Sequence, residues 1–285
     1  MEEKNKVNKS TLYLVATPIG NLSDISERAK KVLSEVDFIA AEDTRNSLRL
    51  LTAYGIRKEL VSYFEHNKRE SGERIIERLL SGESCALITD AGMPAISDPG
   101  EDIVRMCAER GIAVTVIPGA SAVVSALALS ALSTARFTFE GFLPAKPGER
   151  KKRLAALVGE ERTMIFYEAP HKLCRTLSDM AEAFGENRKI SLCRKLTKLN
   201  EEVIRLTLGE AVKLYGEKEP RGEYVLVLEG AEEAGVNISN EADTSLSPKE
   251  QVEALISEGM PKKDAIKEVA KRLGVPKSEI YNLMI

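Results

Sequence analysis

Two aspartates, two glycines and two prolines follow a short apolar segment, in the sequence Ile88-Thr89-Asp90-Ala91-Gly92-Met93-Pro94-Ala95-Ile96-Ser97-Asp98-Pro99-Gly100. Residues 85–88 have the pattern of a buried strand, and residues 101–110 have that of an amphipathic helix. A strand-to-helix connection needs only a few residues, so this one is about twice the expected length. Ligands of open α/β folds bind at such strand ends. The Asp90 carboxylate and the backbone groups of this loop therefore predict a ligand site, with a purely structural turn as the alternative.

Two further loops are expected at the same edge of the sheet, Thr17-Pro18-Ile19-Gly20-Asn21 and Pro118-Gly119-Ala120-Ser121. The carboxyl ends of parallel strands share one edge, so the three loops should meet at a single cleft. None of them contains the glycine pattern that binds dinucleotides or the one that binds nucleoside triphosphates. Together they predict a cleft for an uncharged or cationic nucleoside-like ligand.

Two clusters of charged and hydroxyl groups could act on a substrate. Glu42-Asp43-Thr44-Arg45 follows a predicted strand; it either contacts substrate or caps the next helix through Asp43 or Thr44. The second cluster, Arg194-Lys195-Leu196-Thr197-Lys198-Leu199-Asn200-Glu201-Glu202, lies between two predicted strands and combines cations, a hydroxyl and carboxylates. Such a segment can hold a phosphodiester backbone and offer a proton acceptor.

The hydrophobic pattern predicts the strands and helices that position these loops. From residue 11 to 134, strands alternate with helices, which predicts an α/β domain with a parallel sheet covered on both faces. Residues 135–231 have fewer helices per strand and predict a second α/β domain with a mixed sheet. Residues 232–247 lack periodicity and predict a linker. Residues 248–285 predict three short helices, either a helix-turn-helix-like module or a small helical packing element.

The composition of the 285-residue chain favours a cytoplasmic protein that acts on an anionic polymer. No apolar stretch is long enough to cross a bilayer, and residues 1–6 lack a signal-peptide core. Scattered cysteines and two isolated histidines indicate reduced thiols and no metal site. The formal net charge is −3, yet residues 136–200 contain 14 Lys or Arg against 8 Asp or Glu. This basic excess, densest at residues 146–153, suits a polyanion, with a solvated helix start as the alternative.

Taken as an ordered set, these motifs resemble those of the tetrapyrrole methylase superfamily, and more narrowly its 16S rRNA (cytidine-2′-O)-methyltransferase branch. The three strand-end loops and the Glu42 cluster carry the resemblance to the superfamily. The motifs that fit the narrower branch are Phe139-Glu140-Gly141-Phe142-Leu143-Pro144, Tyr167-Glu168-Ala169-Pro170-His171, Arg194-Lys195-Leu196-Thr197-Lys198 and Glu279-Ile280-Tyr281-Asn282-Leu283. The resemblance covers residues 12–285.

The resemblance implies a homodimeric enzyme that binds S-adenosylmethionine between two α/β domains. The implied reaction is methylation of a cytidine ribose 2′-hydroxyl in the decoding region of 16S rRNA, either as free RNA or in the 30S subunit. The positions that match cofactor-contacting segments are Pro18, Asp90, Gly92, Met93, Ser121, Ala122 and Tyr167. Gly222 and Glu223 are expected to close the pocket.

The implied reaction is an in-line displacement in which a ribose oxygen attacks the sulfonium methyl. The candidates for the proton acceptor are Glu42, Asp43 and Glu201, and those for holding RNA phosphates are Arg45, Arg194 and Lys198. The chain departs from the family pattern at two positions, with Lys195 in place of an acid and Asn200 in place of a histidine. We therefore assign the proton acceptor to neither of these two positions.

Two other functions compete with this interpretation. The first is a small-molecule methyltransferase that acts on a porphyrin-like ring, as elsewhere in the superfamily. The basic excess of residues 136–200 and the helical tail speak against it. The second is a non-catalytic RNA-binding protein with a vestigial cleft, which binding of S-adenosylmethionine would exclude.

Overall fold

The computed structural model describes residues 6–231, 247–257, 259–273 and 275–284, and the chain forms two compact units, Met1–Ala231 and Glu232–Ile285. The predicted linker lies outside the described residues except for Ser247. Both sheets belong to the first unit. The domain boundary proposed at residue 134 therefore remains a prediction.

The first sheet is parallel throughout, in the order β3-β2-β4-β1-β5. Its elements are β1 (Thr11–Val15), α1 (Glu27–Glu35), β2 (Phe38–Ala41), α2 (Thr44–Ala53), β3 (Glu59–Ser62), α3 (Lys68–Leu80), β4 (Cys85–Ile88), α4 (Gly100–Glu109) and β5 (Ala113–Ile117). Successive strand side chains point to opposite faces. Val15 therefore packs with Leu33 of α1, whereas Leu12 packs with Ile75 of α3. The predicted parallel sheet with two covered faces is confirmed.

The second sheet is mixed, in the order β6-β7-β10-β8-β9, with only the β6–β7 pair parallel. Its elements are α5 (Ala122–Leu129), β6 (Phe137–Phe142), α6 (Pro147–Ala156), β7 (Thr163–Glu168), α7 (Pro170–Phe184), β8 (Lys189–Arg194), β9 (Glu202–Thr207), α8 (Leu208–Glu217) and β10 (Tyr224–Leu228). Leu154, Leu177 and Leu208 pack one face against α6, α7 and α8, whereas Val123 and Leu127 of α5 pack against the other. The predicted mixed sheet is confirmed.

The densest basic run, residues 146–153, is partly structural. Arg150 is only 4% exposed; its Nε donates to Asp179 Oδ2 at 2.7 Å and its Nη1 to the Ala145 carbonyl at 3.1 Å. Removing one partner of such a buried pair costs about 3–5 kcal/mol. Arg153 pairs with Glu140, and Lys151 pairs with Glu182. Much of this run therefore secures α6 to its neighbours, so it offers less free positive charge than the sequence indicates.

The second unit consists of three helices, α9 (Pro248–Ser257), α10 (Lys262–Leu273) and α11 (Lys277–Leu283). Their shared core contains Val252, Ala265, Ile266, Val269, Ala270 and Ile280. Spacing at three and four residues along α10 places its apolar side chains on one face, as the sequence predicts. Among the described residues, no helix is both long and apolar enough to span a bilayer.

Candidate functional site

A cavity of about 620 Å³ opens where loops of the two sheets face each other. From the first sheet it is lined by Glu42 and by the loop after β4, residues 89–93 and 96–98. From the second sheet it is lined by the ends of β7 and β8 and by the start of β10. The volume lies in the range typical of small-molecule sites. The strand-end loops thus form a cleft, as the parallel sheet predicts.

Two of the strand-end loops are joined by backbone hydrogen bonds. Thr17 N–H donates to the Gly92 carbonyl at 2.9 Å, and Gly92 N–H donates to the Thr17 carbonyl at 3.1 Å. Gly92 has a φ of +87°, and a Cβ placed there would lie 3.3 Å from Ile19 Cγ2. Any other residue would therefore be strained at this position. The wall of the cavity is thereby fixed by backbone rather than by mobile side chains.

Asp98 holds the far end of the loop after β4 in shape. Its Oδ1 accepts from the N–H groups of Ala95 at 3.0 Å and Gly100 at 2.7 Å, and its Oδ2 accepts from Ile96 N–H. The loop needs this support because Ala95 and Ser97 have φ values of +68° and +64°. Sequence analysis missed this role of Asp98. An aspartate before Pro-Gly is typical of such turns and was the available signal.

The second sheet closes the cavity through the position of β10 between β7 and β8. Tyr224, at the start of β10, pairs with Glu168 at the end of β7 and with Arg194 at the end of β8. The segment before it, Gly222 and Glu223, therefore lines the cavity. An antiparallel central strand thus brings the three segments to one edge.

Tyr167 contributes an aromatic wall. Its ring lies 5.0 Å from that of Phe139 and 5.4 Å from that of Phe142, between ring centroids. Burial, with a smaller contribution from the charge of Glu223, raises the pKa of the Tyr167 hydroxyl. The hydroxyl therefore stays protonated at neutral pH and can donate a hydrogen bond.

The connection from β8 to β9, residues 195–201, packs on the loop after β1 and is called the β8–β9 loop. At Gly20 an added Cβ would lie 2.5 Å from Lys198 Cγ, 2.7 Å from the Leu196 carbonyl oxygen and 2.8 Å from Thr197 Oγ1. Because one of these atoms is backbone, the contact cannot be relieved by a side-chain rotation. Glycine at position 20 is therefore what lets the two loops meet.

Glu42 and Asp90 are acidic residues that line the cavity from the first sheet. Burial raises the pKa of the Glu42 carboxyl, and the neighbouring charge of Asp90 raises it further. Asp90 is itself held in place, because Asn46 Nδ2 donates to its Oδ2 at 3.1 Å. A carboxylate with a raised pKa inside a cleft is suited to accepting a proton.

The other two predicted proton acceptors lie outside the cavity lining. Asp43 caps α2 and pairs with Arg45; hydrogen bonds from the Arg45 side chain and backbone lower the Asp43 pKa to about 2. The Glu201 carboxylate accepts from Thr197 N–H at 2.7 Å and supports the β8–β9 loop. Both roles are structural, so the geometry favours Glu42 among the three.

Cations line the cavity from the second sheet, namely Arg194, Lys195 and Lys198. The Arg194 guanidinium pairs with Glu202, so it is already engaged. The cavity therefore combines acidic groups from both sheets, including Glu168 and Glu223 from the second, with cations from the second sheet.

The structure brings most of the predicted site residues together. Those that line the cavity are Glu42, Asp90, Gly92, Met93, Ser121, Ala122, Tyr167, Arg194 and Lys198. Pro18 is buried between Thr17 and Ile19 and is not part of the lining. Asp43, Arg45 and Glu201 also lie outside it. The roles assigned to all of these residues remain predictions.

Residues 11–212 match the model of the family described as Tetrapyrrole (Corrin/Porphyrin) Methylases. The chain belongs to the tetrapyrrole methylase family. Solved structures agree at the level of the fold: uroporphyrin-III-C-methyltransferase from Thermus thermophilus has a TM-score of 0.55 at 19% identity, covering 76% of this chain and 94% of that one. Diphthine synthase has a TM-score of 0.59 at 16% identity, covering 77% of this chain and 89% of that one.

Other tetrapyrrole methylase family members are similar over nearly the whole chain. The Ribosomal RNA small subunit methyltransferase I of Halalkalibacterium halodurans is 50% identical, covering 97% of this chain and 95% of that protein. The Bacillus subtilis protein of the same name is 47% identical, covering 99% of this chain and 96% of that protein. Both matches extend beyond the family model and include the helical tail.

Proposed function

We propose that this chain transfers a methyl group from S-adenosylmethionine to the 2′-hydroxyl of a cytidine in 16S ribosomal RNA. The carrying observation is the identity of 47–50% over nearly the full length with relatives named ribosomal RNA small subunit methyltransferase I. Because that identity spans both sheets and the tail, it favours a ribosomal RNA substrate over a porphyrin-like ring. A non-catalytic role is disfavoured by the intact, well-formed cavity.

The residues of the cavity fit S-adenosylmethionine. A volume of about 620 Å³ suits a nucleoside with an amino-acid tail. The acidic groups Asp90 and Glu223 match its sulfonium and ammonium charges. The strand-end loops lack both phosphate-binding glycine patterns, in keeping with a ligand that carries no phosphate.

When bound, S-adenosylmethionine supplies a methyl group already activated by the sulfonium charge. Asp90, oriented by Asn46, and the backbone around Gly92 bind and orient the cofactor. The Tyr167 ring covers the cavity and excludes water. Lys195 and Lys198 hold RNA phosphates, and the Glu42 carboxylate accepts the proton of the ribose 2′-hydroxyl.

Mass spectrometry of 16S rRNA tests this proposal. RNA from a strain that lacks the corresponding gene is incubated with the protein and S-adenosylmethionine, either as free RNA or as 30S subunits. We expect one methyl group on one cytidine ribose, and we propose the 30S subunit as the better substrate. Absence of transfer to both forms, with transfer to a porphyrin, would favour the small-molecule alternative. Absence of heat on titration with S-adenosylmethionine would favour the non-catalytic one.

We also propose that the protein acts as a homodimer in the cytoplasm, where ribosomal RNA is found. Support for the dimer comes from exposed apolar residues on β5 and α5. Val116 on the edge strand β5 is 47% exposed, and Val124 and Leu129 on α5 are 52% and 37% exposed. On β5 the Val116 carbonyl accepts from Arg28 Nη2 at 3.0 Å, but the Val116 side chain stays exposed. Exposed apolar side chains on an edge strand and on a helix are a surface that proteins often cover.

Replacing Val124 with Asp is expected to convert the dimer to a monomer, because a carboxylate would be buried without a partner at the interface. Sedimentation equilibrium measures the change, and a tenfold or greater rise in the dimer dissociation constant is expected. Val158→Asp is the matched control, since Val158 is 44% exposed near the end of α6. A wild-type protein that sediments as a monomer at all accessible concentrations would contradict the dimer.

A further inference from the structure

Leu199 is 99% exposed at the tip of the β8–β9 loop, whereas Leu80, another exposed leucine, is 59% exposed. A single exposed leucine is unremarkable on most surfaces. This one follows Lys198, which lines the cavity, and lies on the same loop as Lys195. An apolar side chain is therefore exposed to solvent on the same loop as two lysines that line the cavity.

The β8–β9 loop presents Leu199 from a fixed backbone. Lys198 N–H donates to the Lys195 carbonyl at 2.9 Å, and Glu201 N–H donates to the Lys198 carbonyl at 3.0 Å. The Glu201 carboxylate accepts from Thr197 N–H, closing the turn on itself.

Two further observations show that the backbone conformation of the loop is constrained. Lys195 and Thr197 have φ values of +53° and +63°, which residues other than glycine rarely adopt. Leu196 is buried at 6% exposure within the apolar cluster that contains Val123 and Val225. Leu196 therefore anchors the loop to the core, whereas Leu199 is exposed to solvent. Such strained conformations persist where the surroundings enforce them, typically at functional sites.

The proposed reaction gives this tip a role. A ribose 2′-hydroxyl can meet the methyl group in line only if its nucleotide enters the cavity, and stacking on neighbouring bases opposes that movement. Apolar side chains inserted between bases are a known way to separate a stack. Lysines beside such a wedge can hold the flanking phosphates.

We propose that Leu199 is a wedge that packs against the nucleobase next to the target cytidine and separates the two, while Lys195 and Lys198 hold the adjoining phosphates. This inference rests on the proposed RNA substrate and adds a residue that selects for a structured RNA. An RNA base is favoured over a protein surface as the occupant because the lysines that flank the tip complement phosphate charge.

Leu199→Ala is expected to lower kcat/KM for 30S subunits by about 10- to 100-fold, a loss similar to that of removing one aromatic side chain stacked on a base. Leu199→Met keeps the apolar tip and is expected to stay within about threefold of the wild type. Leu80→Ala is the matched control. Leu80 lies at the end of α3, by the amino ends of the strands of the first sheet, whereas the cavity lies at their carboxyl ends. The affinity for S-adenosylmethionine, measured by calorimetry, is expected to be unchanged in all three variants.

A second readout needs no methyl transfer. An RNA hairpin that carries 2-aminopurine beside the target cytidine is expected to brighten when the wild type binds, and to stay dim with Leu199→Ala at saturating protein. Brightening by both proteins, or wild-type kcat/KM in Leu199→Ala, would overturn the wedge. Dissociation of a dimer by Leu199→Ala would also overturn it, in favour of a contact between copies. If the wild type transfers no methyl to RNA, the proposed function fails, and the fluorescence still decides on the wedge.

Discussion

Glu42→Gln is expected to lower the single-turnover rate of methyl transfer to 30S subunits by about 10²–10⁴-fold, the usual contribution of a positioned general base. The amide keeps the size of the side chain but cannot accept the ribose proton. The affinity for S-adenosylmethionine should change by less than about threefold, since Glu42 acts on the nucleophile. Rapid-quench measurement at saturating cofactor separates the chemical step from binding.

Asp43→Asn is the control that distinguishes two adjacent carboxylates. Asparagine is an equally good helix cap, so α2 should keep its start. Because Asp43 pairs with Arg45 outside the cavity, we expect less than about a fivefold change in rate. If Asp43→Asn lost the rate and Glu42→Gln kept it, the assignment of the proton acceptor would be reversed.

The pH dependence of the rate provides an independent check on Glu42. Its pKa is raised above the ordinary value of 4.5 by burial and by the charge of Asp90. The carboxylate must be ionised to accept a proton, so the single-turnover rate should rise with pH through this raised pKa and level off above it. In Glu42→Gln this limb should disappear, and a limb that persisted would point to another group.

Asp90→Ala is expected to weaken binding of S-adenosylmethionine by about 10- to 100-fold, in line with the loss of one hydrogen bond to a charged group. The carboxylate lines the cavity and is oriented by a hydrogen bond from Asn46. Calorimetric titration of the purified protein measures the change. The midpoint of thermal unfolding without ligand should move little.

Asp24→Asn provides the matched loss of one negative charge. Asp24 is exposed on the short 3-10 helix Leu22–Asp24, outside the cavity lining. Its replacement should leave the cofactor affinity within about twofold of the wild type. An equal loss of affinity in both variants would mean that overall charge, rather than a contact by Asp90, governs binding.

The parts of the fold that depend on local pattern could be predicted from the sequence. Apolar runs of four or five residues alternating with amphipathic helices indicate a parallel sheet, and the sheet brings the loops after β1 and β4 to one edge. The loop that contains Asp90 and Gly92 was identified in this way. The length of this loop and its polar residues can be read from the sequence without knowing which residues they contact.

The features that depend on distant residues could not be predicted. Glu42 looks in the sequence like its neighbour Asp43, yet burial and the charge of Asp90 raise its pKa. Gly20 looks like an ordinary turn residue until residues 196–198 are seen against it. Arg150 resembles its exposed basic neighbours, yet it is buried by its pairing with Asp179. In each case the cause is either a contact between residues more than about twenty positions apart or the low dielectric around a buried group. A sequence pattern records neither of them.

The paired hydrogen bonds between Thr17 and Gly92 bear on the thermodynamics of ligand capture. Two segments that are 75 positions apart are joined by the protein's own backbone hydrogen bonds, so the conformational entropy of these segments is lost on folding. Ligand binding then orders little additional backbone, so the entropy loss that opposes binding is small. This favours fast binding with a favourable enthalpy and a small backbone contribution to the heat-capacity change. Amide hydrogen exchange at Gly92 should accordingly be as slow in the free protein as in the complex.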